Sequence, residues 1–145
     1  MSECIFCQIV AGQIPNHTVY EDETTLAFLD VNPLASGHTL VIPKKHGQQV
    51  ADLPKLAPVV LGRAAELAPA VRDAVGADGT TIAVNDGPAA GQEVPHLHVH
   101  IVPRTEADGA GMLHALDWPT PEPDTKAFEE VRSAVRERQD ARSDG

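Results

Sequence analysis

The strongest constraint on how this 145-residue chain folds is the run His96-Leu97-His98-Val99-His100-Ile101-Val102-Pro103-Arg104, in which imidazoles alternate with apolar residues until a proline ends it. In a β-strand successive side chains point to opposite faces, so His96, His98 and His100 fall on one side while Leu97, Val99 and Ile101 pack on the other. Two kinds of chemistry suit that geometry. One is a metal-binding strand, since His-x-His places two nitrogens on one face; the other is a nucleophilic centre in which one imidazole is supported by its neighbours. Immediately upstream, Asn85-Asp86-Gly87-Pro88-Ala89-Ala90-Gly91-Gln92-Glu93-Val94-Pro95 is a turn of small and polar residues whose backbone N–H groups can come close to an anion. Feeding directly into the histidine strand, it suggests a phosphate beside an imidazole.

Around this run the pattern predicts a short helix over Cys4 to Val10 and strands near Val19-Tyr20, Leu26 to Leu29, Thr39 to Ile42, Thr80 to Asn85 and Leu97 to Val102. The clearest helix extends from about Lys55 to Val75, where Leu56, Val60, Ala64, Leu67, Val71 and Ala74 recur every three or four residues and Gly76 offers a stop. Strands mixed with segregated helices indicate an α+β domain with an antiparallel sheet rather than a doubly wound one. Residues 105 to 124 read as a loop or arm. Asp124 then caps a final helix docked by Phe128, Val131 and Val135, with the last few residues expected to be disordered. The expected division is therefore a domain over residues 1–110 and a C-terminal arm with a short helix over 111–145.

No apolar run approaches the roughly 20 residues of a membrane span and no basic-then-apolar leader is present, so the expected compartment is the cytoplasm. A formal net charge of −10 opposes non-specific binding to nucleic acid or anionic lipid. Cys4-Ile5-Phe6-Cys7 supplies two thiol ligands. With only two cysteines in the chain, a four-ligand zinc site must recruit histidines. The alternative is thiol redox chemistry, which calls for a thioredoxin-like β-α-β context that the sequence does not display.

His96 to Val102 matches His-φ-His-φ-His-φ-φ, with φ apolar, at every position, and the chain closely resembles the histidine triad (HIT) superfamily. The resemblance covers about residues 3 to 104. It includes the opening Cys-Ile-Phe-Cys-Gln-Ile-Val-Ala-Gly-Gln-Ile-Pro, the segment Ala27-Phe28-Leu29-Asp30-Val31-Asn32-Pro33 and Gly37-His38-Thr39-Leu40-Val41-Ile42-Pro43-Lys44-Lys45-His46, all similar to the Hint branch of nucleotide-binding hydrolases. It implies an antiparallel sheet of about five strands with helices packed on it, a two-fold dimer, and hydrolysis of purine nucleoside phosphoramidates through a nucleotidyl-histidine intermediate. Alternatives are a diadenosine polyphosphate hydrolase, which differs in leaving group, and a non-catalytic nucleotide-binding adaptor.

Carried over residue by residue, the resemblance makes His98 the nucleophile, His100 a support for phosphate and leaving group, and His38 a member of their proton network. Asn85, Gln92 and the N–H groups of Glu93 and Val94 would steady phosphoryl charge. Asp30 would accept from the ribose hydroxyls, and Ile5, Phe6, Phe28 and Val31 would form the base pocket. A structural zinc would sit on Cys4, Cys7, His46 and His96. A neutral imidazole needs no strong base to attack phosphorus, provided one ring nitrogen is bare and the other donates, for instance to a carbonyl. Position 93 departs from the animal Hint proteins, which have Ser there. An ionised carboxylate cannot donate to phosphate, so Glu93 either faces away and offers only its N–H, the expectation adopted, or meets a cationic leaving group. Trp118-Pro119 looks like the Trp-Pro that in this branch reaches the partner's active site, but lies farther from the triad.

Overall fold

The computed structural model describes residues 4–111, 122 and 124–144. They fall into two units that meet between Gly109 and Ala110. The first unit opens with α1 (Ile5–Val10), where Cys4 is the N-cap: its Sγ accepts from Cys7 N at 3.3 Å. The one-sided spacing of Phe6 and Ile9 buries one face of this helix. Strands β1 (Thr18–Glu21) and β2 (Thr25–Leu29) are joined by a turn in which Asp22 Oδ1 accepts from Thr24 N and Thr25 N, both at 2.9 Å. After β3 (Thr39–Pro43) and a 3₁₀ turn at Val50–Asp52 comes α2 (Leu56–Ala74), followed by β4 (Gly79–Ala83), a second 3₁₀ turn at Pro88–Ala90, and β5 (Val99–Arg104).

The five strands form one antiparallel sheet in the order β1-β2-β3-β5-β4. Register decides what each face carries. Leu26, Phe28, Leu40 and Ile42 meet Cys4, Phe6 and Ile9 at the α1 end in one core. The alternate residues Ala27, Val41, Val99 and Ile101 meet Val60, Ala64 and Ala68 of α2 in a second core on the opposite face. His100 pairs directly with Leu40, so it shares the α1 face. The period-two reading of the histidine run therefore holds, with imidazoles toward α1 and Val99 and Ile101 toward α2.

Boundaries differ from expectation in instructive ways. The ladder of β5 begins at Val99, two residues later than predicted, so His96 lies in a bend and His98 in irregular chain just ahead of the strand. Nor does Pro103 end the strand: β3 pairs only with Val99 to Ile101, whereas β4 pairs along to Arg104, and the proline sits where β4 alone runs beside it. Strand β4 stops at Ala83, short of Asn85. In α2 the buried face is Ala57, Val60, Ala64 and Ala68; Leu67 and Val71 pack at its margin and Ala74 is exposed. Short alanines let the helix axis lie close to the sheet, whereas the predicted face followed the larger side chains.

The second unit contains α3 (Thr125–Asp144), capped by Asp124 Oδ1, which accepts from Lys126 N at 3.0 Å and Ala127 N at 3.3 Å. Phe128, Val131 and Val135, expected to dock it, are exposed, and the terminal residues expected to be disordered continue the helix to Asp144. Trp118 and Pro119 lie outside the described residues. No helix among the described residues is long and apolar enough to cross a membrane.

Candidate active site and metal centre

The capped start of α1 and the bend before β5 bring four soft and borderline donors together. Cys4 Sγ lies 3.4 Å from His96 Nδ1, Cys7 Sγ lies 3.3 Å from His46 Nδ1 and 3.6 Å from His96 Nδ1, and the two Nδ1 atoms are 3.3 Å apart. All four donor atoms fall within 4.8 Å of one another. The edges of a zinc tetrahedron built from thiolate and imidazole bonds are about 3.3–3.8 Å long, so the cluster has the shape such an ion requires. The His96 ring is oriented toward the cluster by a bond on its far side, where Nε2 donates to the Pro43 carbonyl at 2.8 Å and leaves Nδ1 bare. Four protein donors close the coordination sphere, the arrangement of a structural rather than a hydrolytic metal.

The backbone of the same residue serves the next histidine. His98 Nδ1 lies 2.8 Å from the His96 carbonyl oxygen, which can only accept, so Nδ1 carries the proton and Nε2 keeps its lone pair. Phe6 supports the ring edge-to-face, with centroids 5.2 Å apart. The same logic runs through the other imidazoles. Leu34 N donates to His38 Nδ1 at 3.0 Å, so His38 carries its proton on Nε2 and donates to His100 Nδ1 at 2.9 Å. His100 must then hold its proton on Nε2, a buried atom that meets no partner in the protein. Burial, aided by His98 and His38, pushes the His100 pKa down to about 4. Burial likewise lowers that of His38, against the pull of the Asp30 carboxylate 3.7 Å from its Nδ1. The three rings thus offer one bare nitrogen at His98 and one unpaired N–H at His100.

Both atoms belong to residues lining a cleft of about 420 Å³. Asp30, Val31, Asn85, Glu93 and Val94 line it too, with Ile5, Phe6 and Phe28 on the α1 side. Ile5 and Val31 are exposed in it, whereas Phe6 and Phe28 are buried and double as core. Asp30 Oδ1 accepts from Asn32 N at 2.9 Å. Gln92 differs from the other expected ligands. Its Oε1 accepts from Gly87 N at 2.8 Å while its Nε2 donates to the carbonyls of Gln48 at 2.8 Å and Val94 at 3.0 Å, so the side chain is used up in bracing the loop. Gly87 has φ +100°, and a Cβ there would lie 2.6 Å from Gln49 Nε2, so the braced turn requires glycine. The N–H groups of Glu93 and Val94 meet no acceptor among the described residues. Glu93 is exposed and is among the residues that line the cleft.

The HIT domain family model matches residues 11–107. The chain belongs to the HIT family. A HIT-like protein of Methanocaldococcus jannaschii is 48% identical over 106 residues, 73% of this chain and 82% of that one. An adenylylsulfatase, HINT3, of Arabidopsis thaliana is 40% identical over 74% of this chain and 55% of its own. An adenosine 5'-monophosphoramidase, HNT1, of Saccharomyces cerevisiae is 36% identical over 83% of this chain and 73% of its own. Among solved structures, a zinc-bound histidine triad family protein from Mycobacterium smegmatis superimposes with a TM-score of 0.72 at 37% identity, covering 97% of this chain and 98% of that one. Within this HIT site some participants carry no sequence signal at all. The Leu34 N–H and the Pro43 and His96 carbonyls are backbone groups, identical at every position until folding places them.

Proposed function

We propose that this HIT protein hydrolyses purine nucleoside phosphoramidates through a covalent nucleotidyl-His98 intermediate. The observation that carries the reading is the bond from His98 Nδ1 to the His96 carbonyl, which leaves Nε2 as a bare nucleophile in the cleft. His98 Nε2 forms a bond to phosphorus; the P–N bond of the substrate breaks, its electron pair stays on the departing amine, and the amine takes a proton from solvent. Water then attacks the same phosphorus and gives up a proton to solvent, the bond to His98 breaks with its electron pair returning to Nε2, and AMP leaves. The His100 Nε2–H and the N–H groups of Glu93 and Val94 donate to the phosphoryl oxygens as charge develops there, already oriented before reaction. Asp30 receives the ribose hydroxyls, Asn85 stands beside the phosphate, and Ile5, Phe6, Phe28 and Val31 hold the base. The yeast relative named as a phosphoramidase supports the leaving group.

Cys4, Cys7, His46 and His96 would hold zinc, which would supply a fixed anchor between α1 and the bend before β5. The enzyme works in the cytoplasm, where two unpaired thiols suit a reducing medium. It works as a homodimer, since β4 is an open sheet edge and Ile82, Val59 and Leu61 are exposed. Residues 1–110 form the catalytic domain and 111–145 an arm and helix. The test is rapid quenching during turnover of an AMP–amine conjugate. An adenylyl adduct on His98 is expected, and His98→Ala should lose several orders of magnitude in rate while still binding AMP. Retention of more than a few per cent of activity, or an adduct elsewhere, refutes the mechanism.

A further inference from the structure

The cleft lacks something that most phosphate sites have. Among the described residues no lysine or arginine lines it, while two acidic residues, Asp30 and Glu93, do. Phosphate is usually met by a guanidinium or ammonium. Here the free donors of lining residues are neutral: the His100 Nε2–H, fixed as such by the chain of bonds from Leu34 N through His38, and the backbone amides of Glu93 and Val94. Neutral donors can satisfy a single negative charge. Each further charge on the ligand is met less well, because the lining offers no lysine or arginine among the described residues and includes two acidic ones.

We propose that the cleft sorts substrates by charge, taking an adenylyl group with one negative phosphoryl charge whose leaving group is cationic, with Glu93 as the residue that selects the cation. The inference rests on the phosphoramidate reading of the same site and narrows it. The two carboxylates differ in availability. Asp30 is engaged by Asn32 N and lies beside His38. No residue among those described pairs with the Glu93 carboxylate, and Glu93 is exposed. Its neighbour Gln92 is turned away into the loop, toward Gly87, Gln48 and the Val94 carbonyl, whereas Gly91, Glu93 and Val94 line the cleft. Glu93 sits three residues ahead of His96, on the loop that leads into the histidine run, while Ile5 and Val31 line the cleft from α1 and from the chain after β2. On this proposal a leaving group departing from phosphorus passes the Glu93 carboxylate.

The experiment uses AMP joined through a P–N bond to 1,4-diaminobutane, 4-aminobutanol or 4-aminobutyrate, which match in length and differ in terminal charge. For the wild type kcat/KM should fall from ammonium to hydroxyl to carboxylate, by about tenfold or more between the ends at low salt, and the spread should shrink as ionic strength rises. Glu93→Gln should compress the ratio of the end members toward unity, and Glu93→Lys should invert it. Equal kcat/KM for the three conjugates in the wild type, or an unchanged ratio in both variants, overturns the proposal. Equilibrium binding of the same conjugates to His98→Ala separates the two readings. If the wild type cleaves none of them yet binding follows the same charge order and loses it in His98→Ala/Glu93→Gln, the phosphoramidate reading fails and charge selection stands; if binding too is indifferent to charge, charge selection fails.

Discussion

Because His38 donates to His100 Nδ1, the His100 ring is buried in its neutral form, and its response to acid follows from that. Its pKa is about 4 in the folded protein, against roughly 6.5 for a free histidine. Between those values the unfolded chain binds the proton and the folded one does not, so stability is at its full value above the unfolded pKa and falls as pH drops toward the folded one. Thermal melts in a pH series should therefore show Tm declining from about pH 6.5 to pH 4.5, and His100→Gln should have the shallower decline. An equal slope in the variant would assign the acid sensitivity elsewhere. Which residue types meet in the site was legible from the alternation of His96, His98 and His100. Which nitrogen of each ring holds the proton was not, because backbone groups of Leu34 and His96 decide it. Gln92 shows the same limit: an amide beside a phosphate loop has the chemistry of a ligand, and only the positions of Gly87 and Gln48 turn it into a brace.

Helix α1 is too short to persist alone, and Cys4 holds it in two ways, as N-cap and as a donor of the Cys2His2 cluster. Serine is a good N-cap and a poor zinc ligand, so Cys4→Ser keeps the first role and removes the second. The wild type should carry about one zinc per chain by metal analysis, and Cys4→Ser should carry far less and melt about 10 °C lower, with a smaller proportional effect on the chemical step. A variant that loses metal without losing Tm would show the cluster to be dispensable for folding. The kinds and order of the elements were readable from period and turn signals. Their limits were set by partners: β5 starts where β3 first pairs with it at Val99, and α2 buries Ala57 against Leu53 and Leu97 and Ala68 against the sheet. Neither effect has a local trace in sequence.

For the whole molecule, the sheet ends in β1 on one side and in β4 on the other, and Thr81, Ile82 and Ala83 of β4 are exposed. An open edge beside exposed apolar residues of α2 favours pairing of two copies, and light scattering at micromolar concentration should give twice the chain mass. Ile82→Lys should shift that mass toward the monomer; a monomeric wild type would refute the pairing. One residue ties the two chemical centres of the first unit together. His96 is held through Nδ1 at the cysteine cluster, through Nε2 at the Pro43 carbonyl, and through its own carbonyl at His98. A triad transplanted to another sheet as the five residues His96 to His100 would keep the His96 carbonyl beside His98 but leave His96 without the groups that hold its ring. The smallest graft that keeps the nucleophile aimed is discontinuous: the Cys-x-x-Cys turn, the end of β3 through His46, and the bend at His96, three pieces of chain that a designer would have to move as one.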